Sequence, residues 1–417
     1  MGLNSNYQKF PEKIIMSSSS KRILFISNGH GEDNHSSYII ETLLEIYPNV
    51  DIAAMSIVGE GNAYRRLGVP IIGPTQNIPS GGFSYTNRLH FLKDLQSGLL
   101  GLTWRQLQKV WEYSATCDLI MATGDSISQG FAYSTGRPYV SFISCLSALY
   151  EGKLNIGPLL GTFLRSSRCL TVFTRDPYTA QDLQNQHINK AQFGGIPSLD
   201  KLKPTGKDLS LKTNNPMIAL LPGSRLPEAI RNFTLQLDLV LEICKLIPFP
   251  KVEFRAALVP KLMHKLGEIA DSKGWECNGN KLIYKDDAVS IEILCYSDAF
   301  NDILHECTLM LGMAGLAVDQ GIAIGKPVIQ IPGEGPQFTY SFAEAQTRLI
   351  GSCAQTIGTG PASLETLKEA AKCVVDTINN KKYLLDCIEQ GQNRFGPPGA
   401  SIRIANSLLK HLGVNNN

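Results

Sequence analysis

The chain has 417 residues, of which 43% are hydrophobic and 18% charged, and its formal net charge at pH 7 is +2. This is the composition of a globular protein long enough for two or three domains with their own cores. The near-balance of charge, with no dense basic run, excludes nucleic acid as an expected partner. No stretch reaches the roughly eighteen apolar residues of a membrane-spanning helix.

Residues 1–20 read as a disordered leader ending in the serine run Ser17–Ser20. They hold neither the apolar core of a signal peptide nor an Arg-rich amphipathic pattern, so a cytoplasmic location is expected. Met1-Gly2 opens like a myristoylation site, but Asn6 stands where Ser or Thr is required. Met16 is a candidate alternative start. The first strand is predicted at Arg22–Ser27, followed by the loop Asn28–Asp33 and an amphipathic helix with Tyr38, Ile39, Leu43, Leu44 and Ile46 inward and Asp33 as its cap. Gly29 and Gly31 supply two glycines of a dinucleotide fingerprint, but Asn34 occupies the third place.

Strands predicted at 51–58, 69–72, 118–123, 139–144 and 170–174 alternate with helical patterns, which implies a parallel sheet wound with helices. The alternation breaks between Pro74 and Trp111. From Phe83 to Leu102, residues such as Tyr85, Leu89, Phe91 and Leu92 are interleaved with Arg88 and Lys93. That pattern suits a buried helix pair and equally a face lying on an anionic membrane. Beyond Trp104 a buried helix is expected.

Residues 201–216 are polar and carry Pro and Gly, a linker by composition. A second strand-helix series opens at Met217 with MIALLPGS, and its helix has Pro227 and Glu228 in the first turn. Strands are predicted at 252–259, 281–284, 308–313 and 327–331. The stretch 308–339 reads as strand, glycine turn, small-residue helix and strand. Such a crossover either presents a helix N-terminus to a phosphate or uses its glycines only for close packing. Gly321–Lys326 is not a nucleoside-triphosphate loop: the spacing is one residue short, and Pro327 sits where Ser or Thr must bind magnesium. A break at Gly396–Gly399 precedes a last amphipathic helix, Ile402–Leu412. Two α/β domains, 21–200 and 217–395, would leave a ligand cleft between their strand C-terminal edges. Ten cysteines without a CxxC pair argue against a metal-binding set. Cys145, Cys244, Cys295 and Cys373 fit reduced core thiols.

Several loops carry a resemblance. Leu220-Leu221-Pro222-Gly223-Ser224-Arg225 with Glu228, the Gly312–Pro332 unit, Thr123-Gly124-Asp125, and Phe193-Gly194-Gly195-Ile196-Pro197 occur in the order seen in lipid-A-disaccharide synthases. Over residues 21–412 the chain most resembles the synthase-related proteins of cyanobacteria and plastids. The resemblance implies an α/β GT-B fold, two Rossmann-like domains facing across a cleft: an N-terminal acceptor domain, and a C-terminal domain that binds a UDP-sugar. It also implies that residues 396–412 return to the first domain. The implied activity is inverting, metal-independent transfer of a GlcNAc-type sugar from UDP to a lipid-linked acceptor, with peripheral membrane contact and no cofactor beyond the donor.

On this resemblance Gly223, Ser224, Arg225, Gly312, Ala314, Gly315, Asp319, Gln320 and Gln337 are the expected donor-binding residues. Backbone N–H groups, a hydroxyl and a guanidinium would converge on a pyrophosphate. Related transferases hold the ribose with a Glu where this chain has Gln320, and Gln lacks the charge-assisted acceptor. The first loop shares the family's Gly-Glu opening but not its later Gly-Asp, so lipid A need not be the acceptor. The expected base is Asp125, equally readable as a helix N-cap, with His30, Glu32 and His35 as alternatives. A UDP-sugar epimerase of the same architecture and a non-catalytic sugar-nucleotide-binding protein are the competing functions.

Overall fold

The computed structural model describes residues 20–75, 99–212, 215–247, 249–286 and 290–414. Residues 1–19 of the leader and residues 83–98 of the Phe83–Leu102 stretch, read as either a buried helix pair or a membrane-facing surface, lie outside the described residues.

Two sheets organise the chain. The first contains β1 (Lys21–Ser27), β2 (Val50–Ser56), β3 (Leu119–Thr123), β4 (Tyr139–Ile143), β5 (Cys169–Thr174) and β6 (Ala191–Phe193), all parallel, in the order β2-β1-β3-β4-β5-β6. Near-continuous apolar runs such as Ile23–Ile26 and Leu119–Ala122 are buried on both faces, as a helix-covered parallel sheet requires. The predicted strand at 69–72 shrinks to a single parallel bridge, Ala54 to Ile71.

The second sheet is β14-β13-β12-β7-β8-β11-β10-β9. It comprises β7 (Met217–Leu221), β8 (Glu253–Ala257), β9 (Glu276–Asn278), β10 (Lys281–Lys285), β11 (Ser290–Tyr296), β12 (Leu309–Gly312), β13 (Val328–Gln330) and β14 (Ala354–Thr356). Its edge pairs β9–β10 and β10–β11 are antiparallel, so this sheet is mixed where alternation alone implies parallel strands. Strand β11 was not foreseen because Ser290 to Tyr296 mixes Ser and Glu into its apolar run. It pairs in parallel with β8 and buries Ile291, Ile293 and Cys295.

Both sheets have a switch point, where the strand order reverses: β1/β3 in the first and β7/β12 in the second. Crevices form there, outside the strand C-termini.

The segment between the sheets is fastened. Asp302 accepts from the Thr205, Gly206 and Lys207 backbone N–H groups and from the Thr205 hydroxyl. Arg255, buried against Glu253, donates to the Leu209 and Ser210 carbonyls. Composition marks this stretch as polar; only the fold shows that its polar groups are engaged by a strand and a helix of the second half.

The helix Ala400–His411 packs on the helix His30–Ile46, placing Ile404, Leu408 and Leu409 in one core with Ile39, Ile40 and Leu43. Each such buried side chain contributes about 2 kcal/mol. Asp200 accepts from the backbone N–H groups of Gly399, Ala400 and Ser401, supplying the N-terminal partners that Gly399 cannot. In the helix Leu99–Ser114, Leu102, Gln106 and Val110 are buried, but Trp104 and Trp111 are 54% and 39% exposed. Their rings meet edge to face 5.6 Å apart, so the buried-helix expectation beyond Trp104 fails for Trp111.

Candidate active site

On the second sheet, a cavity of about 350 Å³ sits at the β7/β12 switch point. Gly223, Ser224 and Arg225 line it from the loop after β7, and Ala314 and Gly315 from the loop after β12. Gly223 adopts φ +96°, and a Cβ there would lie 3.1 Å from the Met313 carbonyl. Glycine is therefore required both by the turn and by the approach of the two loops. Asn232, on the helix Glu228–Leu246, donates to the Pro222 carbonyl at 3.0 Å, and Gln236 donates to Leu311 at 2.9 Å. One helix thus holds both loops.

Glu228 accepts from the Gln337 and Phe338 backbone N–H groups at 3.0 and 2.6 Å, which folds the glycine-rich 333–338 loop over the cavity. The Gln337 side chain meets Arg225, with its amide oxygen oriented to accept from the guanidinium. Leu258, Val259, Tyr296, Phe300, Phe338 and Phe342 also line the cavity. The lining thus joins apolar and aromatic side chains to a few polar groups, as ligand pockets do.

Gly312 does not line this cavity. A Cβ there would lie 2.6 Å from Val318 and from Val328, so it is a packing glycine. Asp319 and Gln320 also stand outside the lining. Asp319 Oδ2 accepts from Arg175 of the first half at 2.8 Å, and Oδ1 accepts from Gln346 at 3.1 Å. Both members of the Arg175–Asp319 pair are 9% exposed in their side chains. Gln320 donates to the Ser198 carbonyl at 3.3 Å. Gln320, expected at the ribose position, and its neighbour Asp319 are turned toward the first half, which supplies hydrogen-bond partners to both.

The first sheet places Asn28 and Glu32 after β1, and Gly124 and Asp125 after β3, on either side of its own switch point. Gly124, at φ +132°, leaves room for Asn28 and Glu32: a Cβ would come within 3.1 and 3.3 Å of their side chains. Burial pushes the Glu32 carboxyl up; its own backbone N–H opposes this, Asp125 adds to it and Arg225 pulls the other way. Glu32 is therefore within electrostatic reach of both Asp125 and Arg225. Asp125 is raised by burial while Oδ1 accepts from the Ile127 N–H at 2.8 Å, making it the N-cap of the helix Ser126–Ser134.

The first loop is shorter than its sequence suggests. The helix starts at His30, whose side chain lies outside the description, and Gly29 occupies the cap position. Asp33 does not cap. It points inward, accepting from Ser27 and Ser56, while Ser27 also meets Tyr64. Burial pushes its carboxyl up to about 7 against those hydrogen bonds. His35 is buried against Phe142, and burial lowers it to about 3, with Arg175 adding to the effect. An enclosed imidazole with so low a proton affinity is a poor candidate for the base. Arg175 was missed because nothing local distinguishes it; only the second half explains its burial.

Among the described residues, no helix is long and apolar enough to cross a membrane.

Two Rossmann-like α/β domains facing across a cleft, each with its loops at a switch point, define the GT-B fold. No protein-family model and no curated protein matches the chain. Solved structures do. The calicheamicin glycosyltransferase CalG4 aligns with TM-score 0.61 at 12% identity over 94% of this chain and 98% of its own. MurG of Acinetobacter baumannii gives 0.58 at 14% identity over 94% and 99%. The UDP-GlcNAc 2-epimerase of Methanocaldococcus jannaschii, solved with UDP-GlcNAc and UDP, gives 0.53 at 16% identity over 93% and 99%. At such identities the shared property is the fold.

Proposed function

We propose that this protein is an inverting glycosyltransferase that moves a sugar, of the GlcNAc type, from a UDP donor to the hydroxyl of a lipid-linked acceptor. The observation that carries the reading is the chemical opposition of the two switch points. One offers Gly223, Ser224, Arg225 and the N-terminus of the helix Leu316–Ala323; the other offers Glu32 and Asp125. Glycosyltransferases among the similar structures, and an epimerase crystallised with UDP-GlcNAc and UDP, support a sugar nucleotide as the ligand.

In this reading the pyrophosphate lies against Arg225 and the helix N-terminus, where a guanidinium, backbone N–H groups and the helix dipole favour negative charge. The acceptor oxygen attacks the anomeric carbon, and the bond from that carbon to the phosphate oxygen breaks. UDP leaves with the electron pair. The acceptor proton passes to Glu32, whose raised carboxyl and position toward Arg225 suit a general base. Asp125, with one oxygen committed to its cap, helps keep the proton affinity of Glu32 high through its charge.

The test is calorimetry with UDP-GlcNAc, UDP-glucose, UDP-galactose, GDP-sugars and dTDP-sugars, followed by product analysis with and without a lipid acceptor. Binding of a UDP-sugar with acceptor-dependent UDP release is expected. Conversion of UDP-GlcNAc without any acceptor would favour an epimerase, and binding without turnover a non-catalytic protein.

A further inference from the structure

One face of the first sheet ends, beside the cleft, in a row of exposed apolar side chains. The strands are parallel in the order β2-β1-β3-β4-β5-β6, so the connections β2 to β3, β3 to β4, β4 to β5 and β5 to β6 all advance in one direction. Right-handed crossovers then put their helices on one face. Those helices are Leu99–Ser114, Ser126–Ser134, Gly157–Arg165 and Pro177–Asn185. Their inward residues Val110, Phe131, Leu160 and Leu183 share one core, separate from the core of Ile39 and Ile404 on the other face. A crossover helix runs antiparallel to its strands, so its first turn lies at their C-terminal edge, where the cleft is.

That end is where apolar side chains stand out. Ile127, Leu159 and Tyr178 lie in the first turns of the last three helices and are 48%, 62% and 49% exposed. Trp104, in the N-terminal half of the first helix, continues the row. Among the described residues of the first half, the other large apolar side chains that are exposed are Trp111, against the Trp104 ring, and Ile46, on the helix of the opposite face. Adjacent helices pack about 10 Å apart, so four of them carry the row over about 30 Å. The polar tips of two rings are satisfied within the chain: Trp111 donates to Ser134 Oγ at 2.9 Å, and the Tyr178 hydroxyl to the Gly152 carbonyl at 2.8 Å. Arg105 and Lys153 are exposed beside the row, and the exposed Glu151 is countered by Arg348 at 3.9 Å.

Single apolar side chains on separate helix ends, with Trp and Tyr among them and basic residues alongside, suit a lipid surface. There each side chain inserts on its own, aromatic rings favour the headgroup level, and cations meet anionic lipids. We propose that this row docks the protein on an anionic bilayer, with Trp104, Ile127, Leu159 and Tyr178 entering the headgroup region. The Ile127 N–H donates to Asp125 at 2.8 Å, so docking sets the acceptor edge of the cleft against the headgroups. Presenting that edge to a lipid-linked acceptor rests on the transferase reading; the docking itself needs neither donor nor turnover.

The experiment sediments the full chain with vesicles of equal parts phosphatidylcholine and phosphatidylglycerol, and with phosphatidylcholine alone, without donor or acceptor. Binding to the anionic vesicles at low salt is expected, with release at high salt and weaker binding to the neutral ones. Trp104→Ser with Leu159→Ser should lower the partition coefficient about tenfold or more, because two inserting side chains are lost. Leu385→Ser with Ile388→Ser, an exposed apolar pair of the second half, should leave it unchanged. Lipids brominated in the acyl chain should quench the parent's tryptophan fluorescence, which here reports Trp104 and Trp111 because Trp275 is buried. Absence of binding, no quenching, equal losses in the two double variants, or a self-association of the parent that the Trp104/Leu159 variant abolishes without vesicles would overturn the proposal. Titration with UDP reports separately on the transferase reading, whose failure leaves the vesicle result standing.

Discussion

The two cleft edges are built alike and charged oppositely. Each is the C-terminal edge of a largely parallel sheet at a switch point, and each uses a glycine at positive φ, Gly124 or Gly223, to bring two loops together. Yet the second-half edge collects donors, with Glu228 withdrawn to the Gln337 and Phe338 N–H groups. The first-half edge collects acceptors, with Arg175 withdrawn to Asp319. In each case the group of the wrong sign is neutralised by a buried partner. The lesson is that the fold provides the crevice and is indifferent to its polarity; a few loop residues and their partners set the sign.

The strongest way to break this arrangement is at the pair that joins the edges. Asp319→Ala leaves the Arg175 guanidinium buried and uncompensated, and should cost about 3–5 kcal/mol in equilibrium unfolding. Arg175→Met with Asp319→Leu should recover most of that loss, since the charges vanish together. A single variant as stable as the parent would show that the halves are not held by this contact.

Next in size is the acceptor edge. Glu32→Gln preserves shape but cannot take a proton, so turnover should drop about a hundredfold or more, with UDP affinity little changed. Asp125→Asn retains the cap and should fall less. The opposite ranking in steady-state rates would move the base to Asp125.

The donor edge is expected to respond in binding instead. Arg225→Ala should weaken UDP by about 2 kcal/mol, the scale of a charge-assisted hydrogen bond. Calorimetry showing unchanged affinity would place the nucleotide outside the 350 Å³ cavity.

A comparable but purely structural effect tests the floor of the acceptor edge. The Asp33 carboxyl sits at about 7 in the folded chain, against an ordinary value of about 3.9 when unfolded. The folded state therefore binds the proton more tightly. This stabilisation is complete below about pH 4 and is lost as pH rises through about 7. Unfolding free energy should fall by about 2 kcal/mol between pH 5 and 8 on this account. Asp33→Asn should flatten that slope; a variant profile parallel to the parent's would remove Asp33 from the explanation.

By itself, the sequence determined the α/β class, most strands, and the loops after β1, β3, β7 and β12 as the places to look. These are local signals: apolar runs, glycine turns and a helix-opening Pro227-Glu228 depend on neighbours a few residues away. It misread residues whose partners are distant. Asp33 reads as a cap but turns to Ser27 and Ser56. The resemblance puts Gln320 at the ribose with Asp319 beside it, yet they face Ser198 and Arg175 across the halves. Trp111 reads as core but meets Trp104 in the open. Only the tertiary structure decided strand order, and with it the two switch points, because non-adjacent strands are paired by packing of whole sheets and not by local pattern. Only it decided which charges remain available to a ligand, because a buried ion pair between residues 144 positions apart leaves no trace in either neighbourhood.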